Sequence, residues 1–64
     1  MKELYEKFLN KKIEIGSQHF YDSTKLFFQH GIVTAVTDYA LEIETEKGLV
    51  IINYDRIKVL REMR

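Results

Sequence analysis

The run from Gly31 to Leu60 constrains this chain most. It strings together short apolar stretches separated by tight-turn residues and leaves no room for a helix. Thr34 to Asp38 closes one predicted strand and Tyr39 to Thr45 forms the next. Glu46-Lys47-Gly48 reads as a turn into a further strand, Leu49 to Asn53. Tyr39, Leu41 and Ile43 share one face of their strand, and Glu42 and Glu44 share the other, as period-two alternation requires. Leu49-Val50-Ile51-Ile52 breaks that alternation. Four consecutive apolar residues imply a strand covered on both sides, wet on neither. Tyr54-Asp55-Arg56 reads as a tight turn, and Ile57 to Leu60 as the last short strand.

Upstream, Lys12-Ile13-Glu14-Ile15 alternates as a half-buried strand, and Gly16-Ser17-Gln18 is expected to break it. Ser17 to Lys25 is polar and reads as a loop or a curled hairpin tip. Phe20 and Tyr21 within it are expected to fold back onto the body of the protein. Leu26 to Val36 is a long strand with a bend at Gly31, since glycine inside a strand marks a bulge or a sharp turn of the chain. Lys2 to Leu9 places Leu4, Tyr5, Phe8 and Leu9 on one side and predicts a short α-helix, with Asn10 as its terminator. The expected fold is mainly β: a short N-terminal α-helix and five antiparallel strands in one strongly bent small barrel, a single domain over 1–64.

Size and composition narrow the function. Sixty-four residues make one domain with a marginal core, which calls for a staple such as a disulfide, a metal or self-association. There is no cysteine, and His19 and His30 lack metal-ligand spacing, so self-association remains and neither metal nor cofactor is expected. Ten basic residues balance ten acidic ones, but unevenly. Asp38, Glu42, Glu44 and Glu46 make the middle acidic, while Arg56, Lys58, Arg61 and Arg64 make the end basic. No apolar run reaches the length of a membrane span and the first residues have no secretory pattern, so a soluble cytoplasmic protein is expected. No nucleophile has a base and orienter beside it, and no glycine-rich phosphate cradle occurs. An enzyme is not expected.

The order of helix and strands, the junction Leu9-Asn10-Lys11-Lys12-Ile13-Glu14-Ile15, the stretch Gly31-Ile32-Val33 with Val36 and Tyr39, and the stretch Ile52 to Ile57 resemble the Sm-like (Hfq-like) family of small β-barrels. That resemblance implies a non-catalytic oligomer, a homo-oligomeric ring that binds single-stranded RNA and serves bacterial riboregulation. It implies RNA contacts at Tyr39, Asn53, Tyr54, Arg56 and Lys58. It implies subunit pairing through Leu49, Val50, Ile51 and Ile52 on one side and Ile57 and Val59 on the other. The longer stretch from Gly16 to Phe28 is more similar to Src-homology-type barrels, which share the strand order. On that alternative the chain is a protein-interaction or scaffold barrel that grips a partner with Phe20 and Tyr21.

Overall fold

The computed structural model describes residues 2–19, 21, 22 and 24–64. Five strands run through them: β1 (Lys12–Gln18), β2 (Leu26–Val36), β3 (Ala40–Thr45), β4 (Gly48–Asn53) and β5 (Ile57–Glu62). They form one antiparallel sheet in the order β4-β3-β2-β1-β5. Alternation builds the core from the inward faces. Ile13, Ile15, Val33, Leu41, Ile43 and Ile52 are buried together with Tyr54, and Tyr5, Phe8, Val36, Val50, Ile57 and Leu60 pack against them.

The expected long strand with a bend at Gly31 is present as β2. Its two halves have different partners. Leu26 to Ile32 pairs with β1, while β3 takes over from Ile32 to Val36. Gly31 sits at the handover, where a Cβ would lie 2.3 Å from the carbonyl oxygen of Glu44. Only a residue without a side chain lets β3 approach there. Register shifts between Val33 and Ala35 and between Gly16 and Ser17 add further bending, as bulges do.

Several expectations are corrected. The sheet is not closed into a barrel. β4 and β5 are its outer strands, each paired on one side only: the six-residue β3 pairs with the C-terminal half of β2, and β4 pairs with β3 alone. The N-terminal segment is two 3-10 turns, Lys2–Leu4 and Glu6–Phe8, rather than an α-helix. Its bonds run from the N–H of Tyr5 to the carbonyl of Lys2 and from Phe8 to Tyr5, both at 2.9 Å. Three-residue spacing stacks Tyr5 and Phe8 on one side, against the core, and leaves Leu4 exposed. The expected stop at Asn10 is there: its φ of 66° is left-handed, and its N–H turns to the Val33 carbonyl. Gly16 does not end β1, which continues to Gln18, because the Phe28 ring lies over the bare glycine on the paired strand.

β4 carries the largest correction. Ile52 is buried and Val50 half-buried, but Leu49 is 62% and Ile51 69% exposed. The outer flank of this strand is open in the single chain. The N-terminal turns, packed through Tyr5 and Phe8 on the core, do not cover it.

Candidate nucleic-acid interface and assembly edges

The β2–β3 connection is held by one side chain. Thr37 Oγ1 accepts from the N–H groups of Tyr39 and Ala40 at 3.3 and 3.1 Å, and the Thr37 N–H donates to the Ala40 carbonyl at 3.0 Å. This local competition for backbone partners is what makes threonine a turn residue. Tyr39 is thrust out at the tip, 81% exposed. Its carbonyl accepts the N–H of Tyr54, and Asn53 pairs with Ala40 in the ladder, so Tyr39 and Asn53 meet at one end of the sheet. Lys2 pairs with Asp38 at 3.4 Å beside them.

Tyr54 supports this end from within. Its ring stacks on Tyr5 with centroids 4.4 Å apart and planes 3° apart, and its hydroxyl donates to the Thr37 carbonyl. Burial pushes its phenol pKa up, with the charges of Tyr5, Asp38, Glu6 and Glu3 acting in the same direction. The side chain named for RNA contact is therefore a core anchor for the Tyr39 turn, with its ring covered.

Arg56 and Lys58 lie apart from Tyr39. The 3-10 turn Tyr54–Arg56 crosses from β4 to β5, and Arg56 Nη2 donates to the Gln18 carbonyl at 3.1 Å. That bond ties the crossing to the end of β1. Lys58 is exposed where β5 slips one residue against β1. Arg56 instead lines a groove of about 330 Å³ between the β1–β2 hairpin tip and β4, with Gln18, Tyr21, Phe27, Gln29 and Val50 among its walls. A second groove of about 390 Å³ shares Phe27, Gln29 and Val50 and runs on toward the β3–β4 turn.

Tyr21 does not fold back as expected. It is 94% exposed, its N–H donates to His19 Nδ1 at 3.1 Å, and its ring lies 6.2 Å from that imidazole. Phe20 lies outside the described residues. The groove residues Gln18, Phe27 and Gln29 were not singled out in the sequence. For Phe27 and Gln29 the signal was the alternation Phe27, Gln29, Gly31, which puts both on the inward face of a half-strand with no β3 beside it.

The sheet edges follow from antiparallel alternation, in which successive residues point their N–H and C=O groups to opposite sides. Val33 donates to the Lys11 carbonyl and Met63 to that of Lys12. Carried along the registers, this parity leaves the backbone groups of Leu49, Ile51 and Asn53 facing out from β4, and those of Leu60 and Glu62 facing out from β5. The outer face of β3 is acidic through Glu42 and Glu44, with Thr34 Oγ1 donating to Glu42 Oε2 at 2.8 Å. Around β5, Arg61 pairs with Glu14 at 2.8 Å, and Val59 is 41% exposed. The arrangement offers two sheet edges, an exposed tyrosine–asparagine pair and a groove lined by Arg56. Among the described residues no helix is long and apolar enough to cross a membrane. No protein-family model matches the chain, and no curated protein or solved structure matches it.

Proposed function

We propose that this chain is a non-catalytic, Sm-like RNA-binding subunit that assembles with copies of itself. The observation that carries the reading is β4. It combines an unpaired backbone edge with an open apolar flank, Leu49 and Ile51, in a chain with a small core. Long, flat, apolar edges are normally blocked by charge or proline, and β4 has neither. Pairing the edge Leu49 to Asn53 with Ile57 to Leu60 of a second copy satisfies its backbone groups and brings Val59 toward Leu49 and Ile51. Fully burying one such side chain is worth roughly 1.5–3 kcal/mol. The basic β5 end of one copy then meets the acidic β3–β4 end of the next, which fixes the head-to-tail direction. A head-to-tail contact closes into a ring when its rotation permits.

Each copy then presents Tyr39 and Asn53 to single-stranded RNA. An exposed aromatic ring is a sequence-tolerant platform for a base, and repetition around a ring compensates for weak single sites. A cytoplasmic, Hfq-like riboregulator is the form of this reading that the family resemblance suggests. The test joins light scattering to titration of labelled uridine- and adenosine-rich RNA. Wild type is expected as a multimer that binds RNA, Leu49→Lys with Ile51→Lys as a folded monomer, and Tyr39→Ala as a multimer with weakened binding. A monomeric wild type at micromolar concentration removes the assembly, and wild-type affinity in Tyr39→Ala removes the platform. The scaffold reading, of Src-homology type, draws on the groove beside the long β1–β2 hairpin and predicts a folded protein with no RNA affinity.

A further inference from the structure

We infer that the N-terminal half of β2 takes one more strand, an extended apolar peptide of a partner protein that continues the β3 ladder. The inference is independent of RNA binding and of assembly through β4 and β5. It starts from the backbone. Val33 donates to the Lys11 carbonyl, so Val33, Gly31, Gln29 and Phe27 turn their backbone groups toward β1. Leu26, Phe28 and His30 turn theirs the other way. On that side the pairing with β3 begins only at Ile32, and β3 ends at Thr45, where the chain turns into β4. Among the described residues no strand meets Leu26, Phe28 and His30 there. At ~3.4 Å per residue this open stretch of edge runs ~17 Å. It carries no lysine, no acidic residue and no proline, the usual blocks to strand addition.

The surroundings favour a lone strand as the occupant. The grooves of about 330 and 390 Å³ share Phe27, Gln29 and Val50, so both lie along this edge as one slot. β2 forms one wall, and Val50 with the Glu46–Lys47 turn stands across from it. A second copy would bring its edge backed by the rest of its own sheet, which the far wall excludes. A nucleic acid lacks the row of alternating N–H and C=O groups that an open strand edge pairs with. Residues directly opposite in an antiparallel pair share a face. The peptide residue facing Phe28 therefore lies beside that ring on the outer face of the sheet. Its two neighbours, facing Phe27 and Gln29, point inward to the slot beside Val50. Phe27 is 51% and Phe28 53% exposed, so the edge offers an aromatic ring on each face. The matching segment is apolar on both faces. Its main chain supplies the pairing, and its side chain opposite Phe27 supplies the preference.

The experiment follows amide hydrogen exchange, residue by residue, in the isotopically labelled full chain. The probe is an acetylated and amidated hexapeptide of alternating valine and threonine. In the free protein the amides of Phe28 and His30 are expected to exchange quickly and that of Gln29 slowly, because Gln29 is bonded to β1. The peptide is expected to slow Phe28 and His30 at least tenfold. The same peptide with a methyl group on every backbone nitrogen is expected to leave them unchanged. Phe27→Ala, a half-exposed position, should stay folded and bind the peptide about tenfold more weakly. Peptide binding by a protein that binds no RNA supports this inference and removes the Tyr39 reading. Phe28 and His30 amides as slow as Gln29 in the free protein would show the edge already paired, and that overturns the inference. So does peptide protection confined to Leu49 and Ile51 of β4, equal binding of the methylated peptide, or full affinity in Phe27→Ala. Protection of Phe28 by oligouridine and not by the peptide overturns it as well.

Discussion

Replacing Gly31 by alanine tests the reasoning behind the bend. The new Cβ would fall 2.3 Å from the Glu44 carbonyl oxygen and 2.9 Å from its carbon, and 3.2 Å from Thr45 Cγ2. Ordinary carbon–oxygen contacts need about 3.3 Å, so β2 and β3 must part by roughly 1 Å at this point. The obstacle is backbone in a central strand and cannot rotate away. Ile32 pairs with Glu44 beside it, and the separation weakens that pairing and loosens Val33 against Ile43. Strained overpacking costs ~1–3 kcal/mol, and a weakened buried hydrogen bond adds ~1 kcal/mol. Reduced freedom of the unfolded chain returns ~0.4–1 kcal/mol. The expected loss is ~2–3 kcal/mol, a large share of the ~3–10 kcal/mol available to a chain of this size. Urea unfolding followed by circular dichroism should show the midpoint falling by about 2–3 M, given a slope near 1 kcal/mol per molar. Two other glycines serve as controls. Gly16→Ala meets only the Phe28 ring, at 2.8 Å, and that half-exposed side chain can swing aside, so its cost stays below ~1 kcal/mol. Gly48→Ala meets nothing within 4 Å, and its penalty of ~1–2 kcal/mol comes from its φ of 119° alone. A Gly31→Ala protein within ~0.5 kcal/mol of wild type, or more stable than Gly16→Ala, would refute the close-approach argument.

Three further outcomes can be measured by the same unfolding assay. Tyr54→Phe keeps the stack on Tyr5 but leaves the Thr37 carbonyl without its donor, and should cost ~1–2 kcal/mol. Because the Tyr54 pKa is raised above its ordinary value of 10.0 in the folded protein, the unfolded chain releases that proton first. Its contribution is therefore intact below pH 10 and lost as pH climbs through the folded value, so wild type should weaken above pH 10 more steeply than Tyr54→Phe. Arg61→Ala removes a 2.8 Å pair whose arginine is largely solvated, and should change stability by less than ~1 kcal/mol, an effect that shrinks further in salt. A larger loss would mean that the aliphatic stem of Arg61, rather than its charge, holds β5 to β1.

The parts of the fold that period-two patterning controls were readable in advance. Ile13 and Ile15 flanked by charge, Leu41 and Ile43 opposed by glutamates, and the turn glycine Gly48 specify β1, β3 and the hairpin into β4 through local rules, and each of these segments lies where those rules put it. The misreadings share a cause. Gly16 reads locally as a break, but a glycine opposite an aromatic is a packing feature that depends on a residue twelve positions away. The N-terminal turn has apolar positions that fit both three- and four-residue spacing. Which of them is buried depends on the core beneath, and the choice of Tyr5 and Phe8 over Leu4 follows from the stack on Tyr54.

Closure of a barrel depends on more than local pattern, and so does the groove. Strand number can be counted along a sequence, but the length over which two strands pair cannot. β2 has eleven residues and β3 six, so half of β2 has no neighbour on that side. The inward row there, Phe27 and Gln29, reads in sequence as ordinary interior. In space it becomes the wall of an opening, and Arg56 reaches that opening from the far end of the chain. The five residues grouped for RNA contact thus divide by geometry. Tyr39 and Asn53 stand together at a turn, Tyr54 holds that turn from the core, Lys58 lies on β5, and Arg56 belongs to the groove. The unmatched lengths of β2 and β3 account for both the open seam and the cavity. A variant whose longer β3–β4 hairpin let β3 pair with Leu26 to His30 should cover the row of Phe27 and Gln29, and any RNA affinity that survived would reside at the Tyr39 turn.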